Sequence, residues 1–200
     1  MFYVGVDLGQ KQDYTAIAIV ERPDLSRAYQ ERLHVRAYLV RGASATPTVQ
    51  LLVRRVQRVA LGTPYPRVVE MVREIVCAHP FAGRCAVVVD GTGVGAPVVD
   101  MLRAAELKCE ITAVTITSGD RETRRGSLNV GVPKRDLISG LQLALEKGEL
   151  RIARKMKEVG SLVRELMEVR GEHDDLVIAL ALACWRARRR ENGFRGERLF

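Results

Sequence analysis

No stretch of this sequence approaches the ~20 consecutive apolar residues that a membrane-spanning helix needs, and no basic segment leads into a signal core at the N-terminus. Membrane and secreted classes are set aside on that basis, and a soluble chain of the cytoplasm is expected. The four cysteines, Cys77, Cys85, Cys109 and Cys184, form no CxxC pair. That argues against a zinc site or a disulfide framework and fits free thiols in a reducing compartment. Internal repeats and low-complexity blocks are missing too, which excludes a repeat array. GTGVG at 91–95 departs from both familiar phosphate-binding loops: Ala96 stands where G-x-G-x-x-G has its last glycine, and the P-loop lysine is absent. A nucleotide site there is the lesser reading.

Apolar residues and arginine are plentiful. Two hundred residues at 47% hydrophobic can bury one good core, so a single domain over 1–187 is expected, with a basic, flexible tail at 188–200. The net charge of +8 and a pI near 9.7 come largely from arginine clusters at Arg54, Arg55 and Arg58, at Arg121, Arg124 and Arg125, and from Arg186 onward. A guanidinium can grip an oxyanion in two places, and several such clusters point to nucleic acid.

Residues 2–9, FYVGVDLG, read as a buried strand with Phe2, Val4 and Val6 on one face and Tyr3, Gly5 and Asp7 on the other. YTAIAIV at 14–20 follows a short turn and is expected to pair with it as an antiparallel hairpin. LHVRAYLV at 33–40 alternates as a further strand, while 49–60 fits a helix or a strand. Val68, Val72, Ile75 and Val76 mark a helix ending near His79-Pro80. Cys85 to Val89 is a valine-rich run of the kind buried on both faces of a sheet, followed by a glycine turn and a helix opened by Pro97. ITAVTIT at 111–117 is a strand of parallel type and 118–130 a polar stretch. Pro133 opens a helix carrying Leu137, Leu141 and Leu145, and another helix carries Val159, Leu162, Val163 and Leu166.

Three places carry acids where chemistry could need them. Asp7 ends the first strand, Asp90 ends the valine-rich strand, and Glu172, His173, Asp174 and Asp175 precede a run that is apolar from Leu176 to Trp185. A lone Asp at a helix start is commonly an N-cap. Two adjacent carboxylates and a histidine exceed what a cap needs, and with Asp7 and Asp90 they could cage hard divalent cations, which prefer oxygen ligands.

GVDLG with its hairpin, VVVDGTGVG, VPKRDLISGLQLALEKGEL and GEHDDLVIALALACW, in that order, closely resemble the C-terminal nuclease domain of phage large terminase subunits over residues 2–187. The resemblance implies a ribonuclease H-like α/β fold: a mixed sheet of three antiparallel strands then two parallel ones, flanked by helices. Residues 49–60 then become the third strand, and the long 22–48 connection an added strand or hairpin. It implies a metal-dependent endonuclease that cuts duplex DNA in viral genome packaging. Two ions, Mg²⁺ or Mn²⁺, would be held by Asp7, Asp90, Asp174 and Asp175, with Asp174 the principal ligand of its pair and His173 orienting water or phosphate. Arg121, Arg124, Arg125, Lys134 and Arg135 would grip phosphate. The implied partners are double-stranded DNA, an ATPase motor domain or subunit, and the portal or small terminase subunit. No Walker A motif precedes the nuclease strand, so the chain looks like an excised domain, a split subunit or a stand-alone relative. The alternatives are a Holliday-junction resolvase and a non-catalytic DNA-binding or motor-docking module.

Overall fold

A computed structural model describes residues 1–9, 13–23, 50–93, 95–124, 126, 128–168 and 174–189. The chain begins with β1 (Phe2–Asp7), β2 (Ala16–Glu21) and β3 (Leu51–Arg58), continues through α1 (Tyr65–Cys77), β4 (Cys85–Asp90), α2 (Gly95–Ala104) and β5 (Glu110–Thr117), then β6 (Thr123–Arg124), β7 (Asn129–Pro133), α3 (Lys134–Glu146), β8 (Leu150–Ile152), α4 (Val159–Met167) and α5 (Asp175–Arg188). The strands form one sheet in the order β6-β7-β5-β4-β1-β2-β3-β8. β1 pairs antiparallel with β2 and β2 with β3, while β4 joins β1 in parallel and β5 joins β4 in parallel.

Alternation along β1 divides the core. Phe2, Val4 and Val6 join Val87, Val89 and the apolar stripes of α1 and α2 on one side of the sheet. Tyr3 joins Ala16, Ala18, Val88 and α5 on the other. Every residue of α5 from Asp175 to Cys184 is buried, because it lies across β1 and β2 and is covered on its outer side by α3 and α4. Each of Leu176, Ile178, Leu180 and Leu182 contributes roughly 1.5–3 kcal/mol by burial. Packing, more than any cap, therefore fixes where this helix begins. The close approach needs Gly5, where a Cβ would stand 2.0 Å from the Ala179 carbonyl oxygen and 2.9 Å from the Ala183 nitrogen. Backbone on both sides leaves nothing soft to yield, so Gly5→Ala is expected to cost at least the ~1–3 kcal/mol typical of overpacking, read as a lowered midpoint in urea.

The expected three antiparallel strands followed by two parallel ones are β1 to β5. Three further strands extend that expectation. β6 lies within the stretch expected to be merely polar and pairs antiparallel with β7, which begins at the end of that stretch and pairs in parallel with β5. Only Val130 and Val132 carry an inward pattern there, and Gly131 gives room for Thr123. β8, three residues long, pairs in parallel with β3. The helix expected to open at Pro97 opens at Gly95, with Pro97 inside its first turn, and Pro133 closes β7 so that α3 starts at Lys134. Within 49–60, Leu51–Arg58 are strand, as the resemblance implied. The expected strand at 33–40 and the tail beyond Arg189 lie outside the described residues. No helix among the described residues is long and apolar enough to cross a membrane.

The pairing of β2 with β3 is interrupted at one point. Ile19 pairs with Arg55 but Val20 pairs with Val53, so the β3 register shifts at Arg54. A bulge of this kind leaves one residue unpaired and turns neighbouring side chains to the same side. Arg54 and Arg55 are accordingly both exposed, between the buried Val53 and Val56.

Candidate active site

Parallel pairing sets β1 and β4 side by side with Val6 opposite Val89, so Asp7 and Asp90, each the last residue of its strand, leave the sheet together. In open α/β sheets the crevice outside the carboxyl ends of the strands is where ligands bind. Beyond Asp7 the chain is held by two hydrogen bonds: the Gly9 N–H donates to Thr15 Oγ1 (3.1 Å) and the Tyr65 hydroxyl donates to the Gly9 carbonyl (3.3 Å). α5 delivers Asp174 and Asp175 to the same place from the other side of β1.

Asp7 feels the charges of the other three acids. Burial, then repulsion from Asp90, Asp175 and Asp174 in that order, pushes the Asp7 carboxyl well above the usual carboxylate range, and Lys134 acts in the opposite direction. Asp90 is also raised, chiefly by burial, against the pull of hydrogen bonds. Its Oδ1 accepts from the Thr92 N–H (2.8 Å) and the Thr92 hydroxyl, and Thr92 Oγ1 in turn accepts from the Ile116 N–H (2.9 Å). Thr92 thus ties Asp90 to β5 and fixes its orientation.

Asp174 occupies the N-cap position of α5 yet makes no capping hydrogen bond. Its Oδ2 lies 2.7 Å from Lys134 Nζ instead. The cap comes from a different helix, since the Val177 N–H donates to Glu165 Oε2 at 3.1 Å. Glu165 is almost fully buried, is held by Arg58, and has its carboxyl raised first by burial. Arg58 Nε also stands 3.8 Å from Asp175 Oδ2. Behind the acid group, therefore, one guanidinium from β3 serves two buried carboxylates from α4 and α5.

Among the described residues, no three His, Cys, Asp or Glu side chains stand close enough together to hold an ion as they are placed. The donor set still suits a hard divalent cation. It offers oxygen alone, and the repulsion that raises Asp7 is a strain that added positive charge relieves.

The structure thus gathers Asp7, Asp90, Asp174 and Asp175, while His173 lies outside the described residues. The residues expected to grip DNA are dispersed into other pairings. Lys134 faces Asp174, Arg135 meets Asp120 (2.6 Å) and Asp136 (3.4 Å), and Arg124 stands 3.8 Å from Glu122. Arg121 is exposed, and Arg125 is outside the described residues. Glu165 and Thr92 escaped sequence reasoning, and Arg58, read as one of a phosphate-gripping cluster, instead pairs with Glu165 and Asp175. Thr92 had a signal, being two residues past a strand-ending Asp, where a hydroxyl and an N–H readily turn back to a carboxylate.

No protein-family model and no curated protein matches the sequence. The fold does match solved structures. The large terminase nuclease from thermophilic phage G20c superposes with a TM-score of 0.54 at 20% identity, over 92% of this chain and 80% of that one. The human cytomegalovirus terminase nuclease domain, Mn-soaked and inhibitor-bound, gives 0.53 at 14%, over 92% and 81%. The large terminase nuclease domain from bacteriophage SPP1, with bound Mn, gives 0.52 at 12%, over 92% and 85%. At these identities the likeness is one of fold: the chain has the ribonuclease H-like architecture of terminase nuclease domains.

Proposed function

We propose that this chain is a divalent-metal-dependent endonuclease that cuts duplex DNA during viral genome packaging, with Asp7, Asp90, Asp174 and Asp175 as its metal ligands. The observation that carries the proposal is the convergence of Asp7 and Asp90 at the carboxyl ends of paired β1 and β4, with Asp174 and Asp175 of α5 near enough to act on buried Asp7, on a fold shared with nucleases of which one is Mn-soaked and one Mn-bound. A pair of Mg²⁺ or Mn²⁺ ions would supply an activated water and charge stabilisation at the leaving oxygen. Asp7, Asp90 and Asp174 or Asp175 would hold these ions, with Asp7 central among the acids. Thr92 keeps the Asp90 carboxylate oriented, and Lys134 balances charge at Asp174. Arg58 and Glu165 hold the start of α5 in register with β1. The partners implied by this reading are double-stranded DNA, an ATPase motor and the portal or small terminase subunit, met in the host cytoplasm.

The test is cleavage by the purified chain. Nicking or cutting of plain linear duplex with Mn²⁺ or Mg²⁺, abolished by chelation, is the expected result. Cleavage of four-way junctions alone would make it a resolvase, and metal-independent binding without cleavage would leave a DNA-holding module.

A further inference from the structure

A cavity of about 670 Å³ opens between β3, α1 and the loop from β8 to α4. Its lining includes six cations, Arg54, Arg55, Arg58, Arg67, Lys155 and Lys157, against one carboxylate, Glu158. Three of the six are already engaged: Arg54 with Glu21, Arg58 with Glu165 and Arg67 with Glu74. Among the described residues no carboxylate pairs with Arg55, Lys155 or Lys157, and all three are exposed. Scattered surface lysines repel little in water. Cations gathered around a concavity focus their field into it and raise the local concentration of anions. The bulge at Arg54 is what brings Arg55 here, since an unbroken strand would have turned one of the two arginines toward the core.

The cavity also lies on the edge of the sheet that carries the acids. Ala16 pairs with Asp7 on one side and Arg58 on the other, so Arg58 stands two strand spacings, about 10 Å, from Asp7. Arg58 belongs to both places, a wall of the cavity and the counter-charge of Asp175.

We infer that this cavity holds the phosphodiester backbone of the DNA strand being cut, flanking the scissile phosphate, with Arg55, Lys155 and Lys157 as its phosphate contacts. The inference rests on the nuclease reading for the position of the scissile phosphate, and on the cavity alone for the binding of DNA. Periodic phosphates match unpaired cations on two walls of the cavity, and contacts of this type tolerate any sequence. The stretch around Arg121 becomes secondary.

The experiment compares the full chain with the triple variant Arg55→Ala/Lys155→Ala/Lys157→Ala on two unrelated linear duplexes. Binding is read without divalent metal across a salt series, and cleavage is read with Mn²⁺. The triple variant is expected to bind both duplexes at least tenfold more weakly, with a salt slope flatter by about 2 to 3, since each phosphate contact contributes about 0.9. KM should rise with it while kcat stays within about threefold. Arg55→Ala alone should take about a third of the slope change, and an unchanged melting curve shows that the fold is kept. Unchanged affinity and slope in the triple variant overturn the inference even if cleavage persists. So does an equal loss from Arg121→Ala/Arg124→Ala with none from the triple. Poly-glutamate bound as tightly as DNA, and released by the same triple variant, overturns the assignment to nucleic acid. A parent that binds DNA through these residues but never cuts it leaves the cavity assignment standing and removes the nuclease reading.

Discussion

Asp7→Asn is expected to abolish cleavage and at the same time to make the metal-free protein more stable. The two effects share one cause. With its carboxyl raised by burial and by three neighbouring acids, native Asp7 holds a proton more tightly than the unfolded chain does. Between the ordinary carboxylate value and the raised one, stability therefore falls as pH rises. Asp90 and Glu165 are raised as well and act with the same sign. Metal-free stability should consequently increase as the solution is acidified through those raised values, and flatten in the variant. The amide has the shape of the carboxylate without its charge. A gain of about 1 kcal/mol is expected, which for a domain of this size is roughly 2–4 °C in melting temperature. Parent protein at a Mn²⁺ concentration of 100 times its Kd should gain about 2.7 kcal/mol, and the variant should lose most of that. Losing the several kcal/mol that metal ions supply to the transition state amounts to a rate loss on the order of a thousandfold, at 1.36 kcal/mol per decade. Parental cleavage by Asp7→Asn, or a metal-free melting temperature below the parent's, would remove Asp7 from the centre of the site.

The acids were legible because each bounds an apolar run: Val6 leads into Asp7, Val89 into Asp90, and Asp175 into Leu176. A charged residue where a buried element meets solvent is visible along the chain. What was not legible depends on partners far away in sequence. Arg58 and Glu165 are 107 positions apart, and nothing local to either tells which cation meets which acid. The uncertain period of 49–60 has a specific cause in the shifted register at Arg54, which changes the burial spacing from two residues (Leu51, Val53) to three (Val53, Val56) and so imitates a helix. β6 and β8 are two and three residues long, too short to show any period. Lys134 was visible as a basic residue opening a helix, yet its nearest acid is Asp174, a pairing made by the sheet order and not by the sequence around it.

Arg58→Met is expected to be the most damaging substitution at the level of stability. It keeps much of the side chain's bulk against Tyr14, whose ring lies 5.5 Å from the guanidinium, but withdraws the counter-charge from Glu165 and Asp175. Their side chains are only 6% and 10% exposed. Breaking a buried pair and stranding its partner costs about 3–5 kcal/mol, against less than about 1 kcal/mol for an exposed pair such as Arg67 and Glu74. At 2–4 °C per kcal/mol the loss is roughly 6–20 °C in melting temperature. It should be greatest at neutral and higher pH and shrink on acidification, because a protonated Glu165, already biased toward that form by burial, no longer needs Arg58. Adding Glu165→Gln should recover part of the loss for the same reason, while keeping an oxygen that can accept from the Val177 N–H. Cleavage should fall along with stability, since this ion group seats the start of α5 and with it Asp174 and Asp175. Thermal melts of Arg58→Met, Arg58→Met/Glu165→Gln and Arg67→Ala across a pH series decide the matter. An Arg58→Met loss no greater than that of Arg67→Ala, or one independent of pH, would show that the buried acids do not depend on this guanidinium.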